Sequence, residues 1–259
     1  MVNFNVINTV LKPITMPKEK NRITVHTART IMFRELSKVM DHAVKDNRYI
    51  DSLKENIANK LTKTNQKRTD SALISLYKFD ESHLPFVCFN YFWQVVQEYD
   101  KPIITMLYAI SNDYLFSESI EVIGSTSIGD KVSKQRLEEN IETFNPNQFT
   151  KNTVSSAARN LISSWKQVGY ISNNNLAVRI NCTHSFNTVA FAFLMAYLSG
   201  ERGEFILSSK WVRILSLSED QIRQLAAEAA MRDIMEYKFA GSVSVITFNN
   251  LFNKLKINV

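Results

Sequence analysis

The chain has 259 residues, a net charge of +6, and only 6 glycines and 5 prolines. That length suits one large domain or a few small ones, and so few turn formers exclude a scaffold of glycine-bearing loops. The two cysteines, Cys88 and Cys182, cannot build a disulfide framework and fit a reducing, cytoplasmic setting.

Residues 1–26 read as an irregular segment, with Pro13 and Pro17 limiting helix and no basic flank followed by an apolar run of the signal-peptide type. A first helix is predicted near Thr27 to Val44, with Ile31, Leu36, Val39 and Met40 inward. A second follows over DSLKENIANKL, where Ile50, Leu53, Ile57 and Leu61 recur three or four apart. TKTNQKRTD then reads as a polar link. Between residues 84 and 123 the aromatic content rises, and two or three core helices are expected there, with Phe92, Trp93, Met106, Leu107 and Leu115 inside. STSIGD, Ser125 to Asp130, is the clearest loop.

KVSKQRLEENIETF predicts a helix over 131–144 that Pro146 separates from the next. That next helix, beginning at Asn152 or Thr153 as cap, has one apolar face: Val154, Ala157, Ala158, Leu161, Ile162, Trp165 and Val168. Gly169 is placed to end it in the left-handed conformation. Tyr170 and Ile171, the turn SNNN and the alternating LAVRI, Leu176 to Ile180, then read as a ribbon. The C-terminal third repeats the order: helices near 187–198 and 208–215, a helix opened by a Ser218/Gln221 capping box, and a closing ribbon that turns at Ala240 and Gly241. The fold class expected is mainly α: a bundle-like N-terminal part with winged-helix-like units of helix plus β-ribbon. The expected division is 1–26 irregular, 27–123 helical, 131–185 winged-helix-like, and 186–259 helical with a ribbon. The longest apolar run, Val189 to Leu198, would span about 15 Å as a helix, half of what a bilayer core requires, so no membrane span is expected.

Charge is unevenly spread. Residues 1–70 hold 14 basic and 7 acidic side chains, residues 71–150 hold 5 and 11, and residues 151–259 hold 12 and 7. Basic ends around an acidic middle offer a positive surface to a polyanion. Lys60, Lys63, Lys67 and Arg68 form the densest basic patch, suited to phosphates. On the helix before Gly169 the outward set is Ser155, Ser156, Arg159, Asn160, Ser163, Lys166 and Gln167, small or polar enough to approach a major groove, with Arg179 on or after the ribbon turn. The second helix-ribbon block carries Glu228 and Asp233 among its outward residues, which favours a structural or protein-facing role.

Enzyme chemistry finds little footing. His26, His42, His83 and His184 show no metal-ligand spacing with one another or with a cysteine, so each reads as a packing or surface residue and no metal or cofactor is expected. Glu138, Glu139 and Glu142 sit on a polar helix face where such clusters are routine. No phosphate-cradling glycine loop, zinc-protease helix or nucleophile elbow is present, and GERGE at 200–204 lacks the Lys and Ser or Thr of a nucleotide loop.

Four stretches carry a family resemblance: NIANKLTKTNQKRTDSALISLY from Asn56, FWQVVQEYDKPIITMLYAISNDYLFSESI, NTVSSAARNLISSWKQVGYI, and AFLMAYLSGERGEFILSSKWVRILSLSEDQIRQLAAEAA. In these the chain resembles the BrxA proteins of bacterial BREX phage-defence systems, over most of its length from about residue 27. It departs in the first twenty residues and around Arg179 to Thr188. The resemblance implies an all-helical fold with winged-helix-like parts, double-stranded DNA binding without enzyme activity of its own, and work beside a methyltransferase, an ATPase and a phosphatase-like partner. It implies DNA-facing roles for Lys60 to Arg68 and the helix bearing Arg159. The expected function is therefore a non-enzymatic, phosphate-led duplex-DNA binder using Lys60, Lys63, Lys67, Arg68, Ser156, Arg159, Asn160, Ser163, Lys166 and Arg179. The rivals are a protein-interaction scaffold of the defence complex, suggested by the acidic, aromatic middle, and a sequence-specific repressor.

Overall fold

The computed structural model describes residues 22–43, 46–241 and 243–257, so the expected irregular N-terminal segment lies outside them up to residue 21. The architecture is a mainly α helical bundle with one two-stranded β-hairpin near the C-terminus. Residues 22–32 run as turn and extended chain, and α1 (Phe33–Ala43) starts six residues later than the apolar spacing predicts. Met32, just before it, is left-handed at φ 53°, which a helix cannot incorporate. α2 (Tyr49–Lys54) is also shorter than predicted, since Asn56 and Asn59 both take positive φ and stop the helix. The stretch expected as a polar link is instead the start of α3 (Lys63–Tyr77), capped by Thr62, whose side chain accepts from the Asn65 backbone N–H.

The aromatic stretch forms α4 (Leu84–Val95), α5 (Lys101–Asn112) and α6 (Tyr114–Gly124). Pro85 and Pro102 sit in first turns, where the missing N–H costs nothing. α7 (Lys134–Phe144) follows a Ser133 cap, and α8 (Lys151–Gln167) is capped by Thr150, ahead of the two candidate caps expected. Gly169, at φ 82°, ends α8 as its sequence position predicts. The LAVRI strand does not form. Two isolated antiparallel bridges, Lys131 to Val178 and Ile171 to Arg179, take its place.

α9 (Phe186–Leu198) is buried at every position from Asn187 to Ala196 and packs against α4, α5 and two later helices, α11 (Lys210–Arg213) and α12 (Glu219–Met231). The most apolar run of the chain is thus a central core helix. No described helix is long and apolar enough to cross a membrane. α10 (Glu204–Leu207) precedes α11, and the Ser218/Gln221 capping box opens α12. β1 (Glu236–Ala240) and β2 (Val243–Thr247) pair antiparallel with Lys238 opposite Val245, turning through Gly241. The ribbon does not close the fold: α13 (Asn249–Lys254) follows it. The Glu236 carboxylate accepts the backbone N–H groups of Asn249 and Asn250 at 3.1 and 3.0 Å, satisfying donors at the first turn of that helix. Buried apolar residues form one connected core from Val25 to Ile257.

Two buried polar groups organise the centre. Asp113 ends α5 and caps α6 through Phe116 N–H, and it also accepts from Val25 N–H at 2.7 Å and from the Thr24 hydroxyl at 3.0 Å. His26 Nδ1 lies 2.8 Å from its Oδ2, and the imidazole stacks on Phe116. Burial by itself would raise the Asp113 carboxyl, but the His26 ring and the Phe116 and Val25 N–H groups hold it below the ordinary carboxylate value. Trp165 of α8 lies under this pair, fully buried between Phe116 and Tyr170, with its indole N–H on the Ser119 hydroxyl at 2.9 Å.

Trp165→Ala removes a whole buried indole and is expected to cost about 3–5 kcal/mol of unfolding free energy, read as a lower midpoint in urea. Because the Asp113 pKa is depressed in the folded state, its contribution is present above the unfolded carboxylate value of about 3.9 and is lost as pH falls through the lower folded value. Asp113→Asn is expected to be less stable at neutral pH and to flatten the decline below about pH 4. An acid limb identical in both proteins would contradict that origin.

Candidate nucleic-acid interface

The basic patch near residue 63 becomes a site because a second segment lies beside it. Residues 24–31 cross between α3 and α8. Asn160 and Gln167 of α8 donate to His26 O (2.8 Å) and the Thr30 hydroxyl (3.0 Å), Phe33 N–H donates to Gln167 Oε1, and Arg29 donates to Asn65 of α3 at 3.0 Å. Between the segment and α3 runs an open groove of about 620 Å³, lined by Arg29, Lys67 and Arg68 together with the hydroxyl-bearing Thr27, Ser71 and Ser75; Thr24 also lines it, but its hydroxyl donates to Asp113. None of its described lining residues carries a carboxylate. Lys67 and Arg68 are exposed and form no ion pair among the described residues, and Lys63 stands one turn earlier on the same helix. Cations with hydroxyl donors and no competing anion make a phosphate-type environment.

The other expected residues scatter. Lys60 is committed to Glu35 of α1 at 2.6 Å, an ion pair that, with the Lys60 charge, holds the half-buried Glu35 carboxyl below its usual value against the raising effect of burial. Arg159 is exposed on α8 but folds back on Ser155 and Ser156, at 3.3 and 2.9 Å. Its charge also reaches Glu138 on α7, whose main partner is Lys134. Asn160, as noted, is spent on the 24–31 segment, and Ser163 meets Gln167 at 3.5 Å. Lys166 points away from the groove, onto Asn174 O. The outward face of α8 is therefore half covered, because the segment that the sequence places far away lies across it.

Arg179 requires a correction. Expected at a ribbon turn and facing DNA, it is 3% exposed. Its guanidinium donates to the carbonyls of Tyr170 and Ile180 and to the Ser216 hydroxyl, and it lies 4.5 Å over the Tyr170 ring. With no strand to carry it outward, the side chain serves as an internal bracket. In the second helix-ribbon block, Arg223 is likewise committed, to Glu219 and Glu204, with its guanidinium over Phe239.

Arg29 is the cationic groove residue that the sequence does not flag, because it lies 34 residues before Lys63 and outside that local cluster. A second unflagged arrangement is Ser164, His26 and Asp113 in hydrogen-bonding sequence, with Ser164 Oγ 3.0 Å from His26 Nε2. All three are buried, and the Ser164 hydroxyl already donates to Asn160 O and accepts Ile31 N–H, so no substrate carbonyl could approach it. The trio ties the segment to α8. Among the described residues no group of three or more His, Cys, Asp or Glu is placed to hold a metal ion.

No protein-family model matches the chain, and neither a curated protein nor a solved structure matches it.

His184 lies beside the Arg179 bracket with its ring buried. Burial lowers its pKa to about 4, outweighing the raising effect of the Leu215 backbone, and the Arg179 charge lowers it further. A histidine held neutral binds fewer protons folded than unfolded, so stability is expected to fall as pH drops from about 6.5 to about 4. Urea midpoints for the parent chain and His184→Phe across that window check it, the variant showing the smaller loss.

Proposed function

We propose that the protein binds double-stranded DNA mainly through its phosphates, without catalysis, as a component of a bacterial phage-defence system of the BREX type. The observation that carries the DNA reading is the groove in which Arg29, Lys67 and Arg68 converge with Thr27, Ser71 and Ser75 and no lining carboxylate. Such a surface binds any sequence by neutralising phosphates and releasing counterions. The defence-system setting comes from the resemblance to BrxA proteins.

The order of elements supports a finer reading. α6, the Lys131 bridge, α7, α8, Ile171, the 172–177 turn and Val178–Arg179 follow a helix, strand, helix, helix, hairpin sequence, with residues 178 and 179 bridging both flanking segments. That is the order of a winged helix, with α8 in the recognition position. Its exposed N-terminal half, with Lys151, Asn152 and Arg159, would then be the part free to meet the duplex, since Asn160 and Gln167 further along are occupied.

A scaffold role is the second reading, and one observation favours it. Around the C-terminal ribbon, Phe205, Met231, Val243 and Val245 are all exposed large apolar side chains, while the local arginine is tied to carboxylates. Exposed apolar surface of this kind serves protein contact better than phosphate contact.

Changing Lys63, Lys67 and Arg68 together to Glu is expected to weaken duplex binding at least about tenfold on every sequence and to lower the salt slope by about 3. Fluorescence anisotropy of two unrelated duplexes over a salt series measures both. Parent-chain binding that is absent at low salt, or unchanged in the triple variant, would remove the groove from the account and leave the scaffold reading.

A further inference from the structure

A second cleft, of about 600 Å³, opens at the C-terminal end of α8, between it, the start of α5, and residues 173 and 181–183. Its walls differ in chemistry from the basic groove. Tyr99 stands there 62% exposed, an aromatic ring left in water. Pro102, Ile103, Val168 and Gly169 supply an apolar floor. The carboxamides of Asn173 and Asn181 and the Thr183 hydroxyl are exposed, and no hydrogen bond to another described side chain or backbone group occupies them. Lys166 is the single cation, held by Asn174 O, and no carboxylate is among the described lining residues.

Each of these features answers to one part of a nucleotide. A solvated aromatic ring beside an apolar floor takes a flat heterocycle face-on, because every base has a π-face to stack. A carboxamide offers a donor and an acceptor side by side, the pattern that matches N6 and N7 of adenine. A lone ammonium without an anionic neighbour suits a phosphate. The volume falls in the range of small-molecule sites. We propose that this cleft binds an adenine nucleotide, with the base on Tyr99, its edge read by Asn173 and Asn181, and the phosphate toward Lys166. The proposal is independent of duplex binding, since it shares no lining residue with the basic groove.

Calorimetric titration of the full chain with AMP, adenosine and ribose 5-phosphate tests it. AMP and adenosine are expected to bind, and ribose 5-phosphate is expected not to. Tyr99→Ala should weaken AMP about tenfold or more, the size of a lost base stack, while Tyr99→Phe keeps it. Lys166→Ala should weaken AMP and leave adenosine unchanged. Tyr99 and Lys166 are not core residues, and an unchanged circular dichroism spectrum confirms that the variants fold. Lys67→Glu with Arg68→Glu should leave AMP affinity unchanged. The proposal is overturned if AMP fails to bind at millimolar concentration, if Tyr99→Ala binds it as the parent does, or if binding is lost in the Lys67/Arg68 variant instead, which would place AMP in the basic groove.

Discussion

A buried carboxylate cannot be left unpaired, and that constraint at Asp113 organises this molecule. The side chain sits in the corner between α5 and α6 with almost no exposure, so its oxygens must be satisfied by protein groups. One comes from its own helix, Phe116 N–H; the others come from Thr24, Val25 and His26, nearly ninety residues earlier in the chain. The requirement draws the 24–31 segment into the interior. Once there, the segment must satisfy its own backbone, and it does so on Asn160 and Ser164 of α8 and on Tyr77 of α3, whose hydroxyl donates to Ile31 O. A polar network of this kind specifies one arrangement of three helices more sharply than apolar packing alone.

The same network sorts the cations. Laying the segment over α8 occupies Asn160 and Gln167, and laying it beside α3 brings Arg29 next to Lys67 and Arg68. Several basic side chains elsewhere are committed: Lys60 pairs with Glu35, Arg223 pairs with Glu204 and Glu219, and Arg179 turns inward. Net charge therefore says less about where a polyanion docks than the position of the carboxylates does. A cation with an adjacent carboxylate presents little field to a phosphate, while a cation in a carboxylate-free groove presents most of it.

Legibility in the sequence followed the range of the interaction concerned. Gly169 at the end of α8, the Ser218/Gln221 box at the start of α12 and the turn at Gly241 were all readable, because each depends on residues within one turn of itself. The inward face of α8, with Val154, Ala157, Leu161 and Trp165, was readable from its period. The late start of α1 was not, since a methionine at positive φ leaves no compositional trace, and the early end of α2 was missed because the apolar spacing of Ile57 and Leu61 outweighed Asn56 and Asn59, residues that tolerate the left-handed conformation. LAVRI alternates as a strand should, yet it has only isolated bridging contacts and so stays irregular: strand propensity expresses itself only where a partner edge is supplied. In the candidate site, Lys67 and Arg68 were legible as a charge cluster, whereas Arg29 was not.

What the sequence by itself determined is the mainly helical class, the aromatic core between residues 84 and 123, and the concentration of positive charge before residue 70. These depend on composition and on contacts a few residues apart. Only the tertiary structure decided which face of α8 is open, that Arg179 is an internal bracket, and that Arg29 shares a groove with α3. The physical reason is that hydrogen bonds and charge are short-ranged in space but indifferent to separation along the chain. Asp113 recruits whichever donors the packed core brings within about 3 Å, and no local pattern encodes that these are Thr24, Val25 and His26.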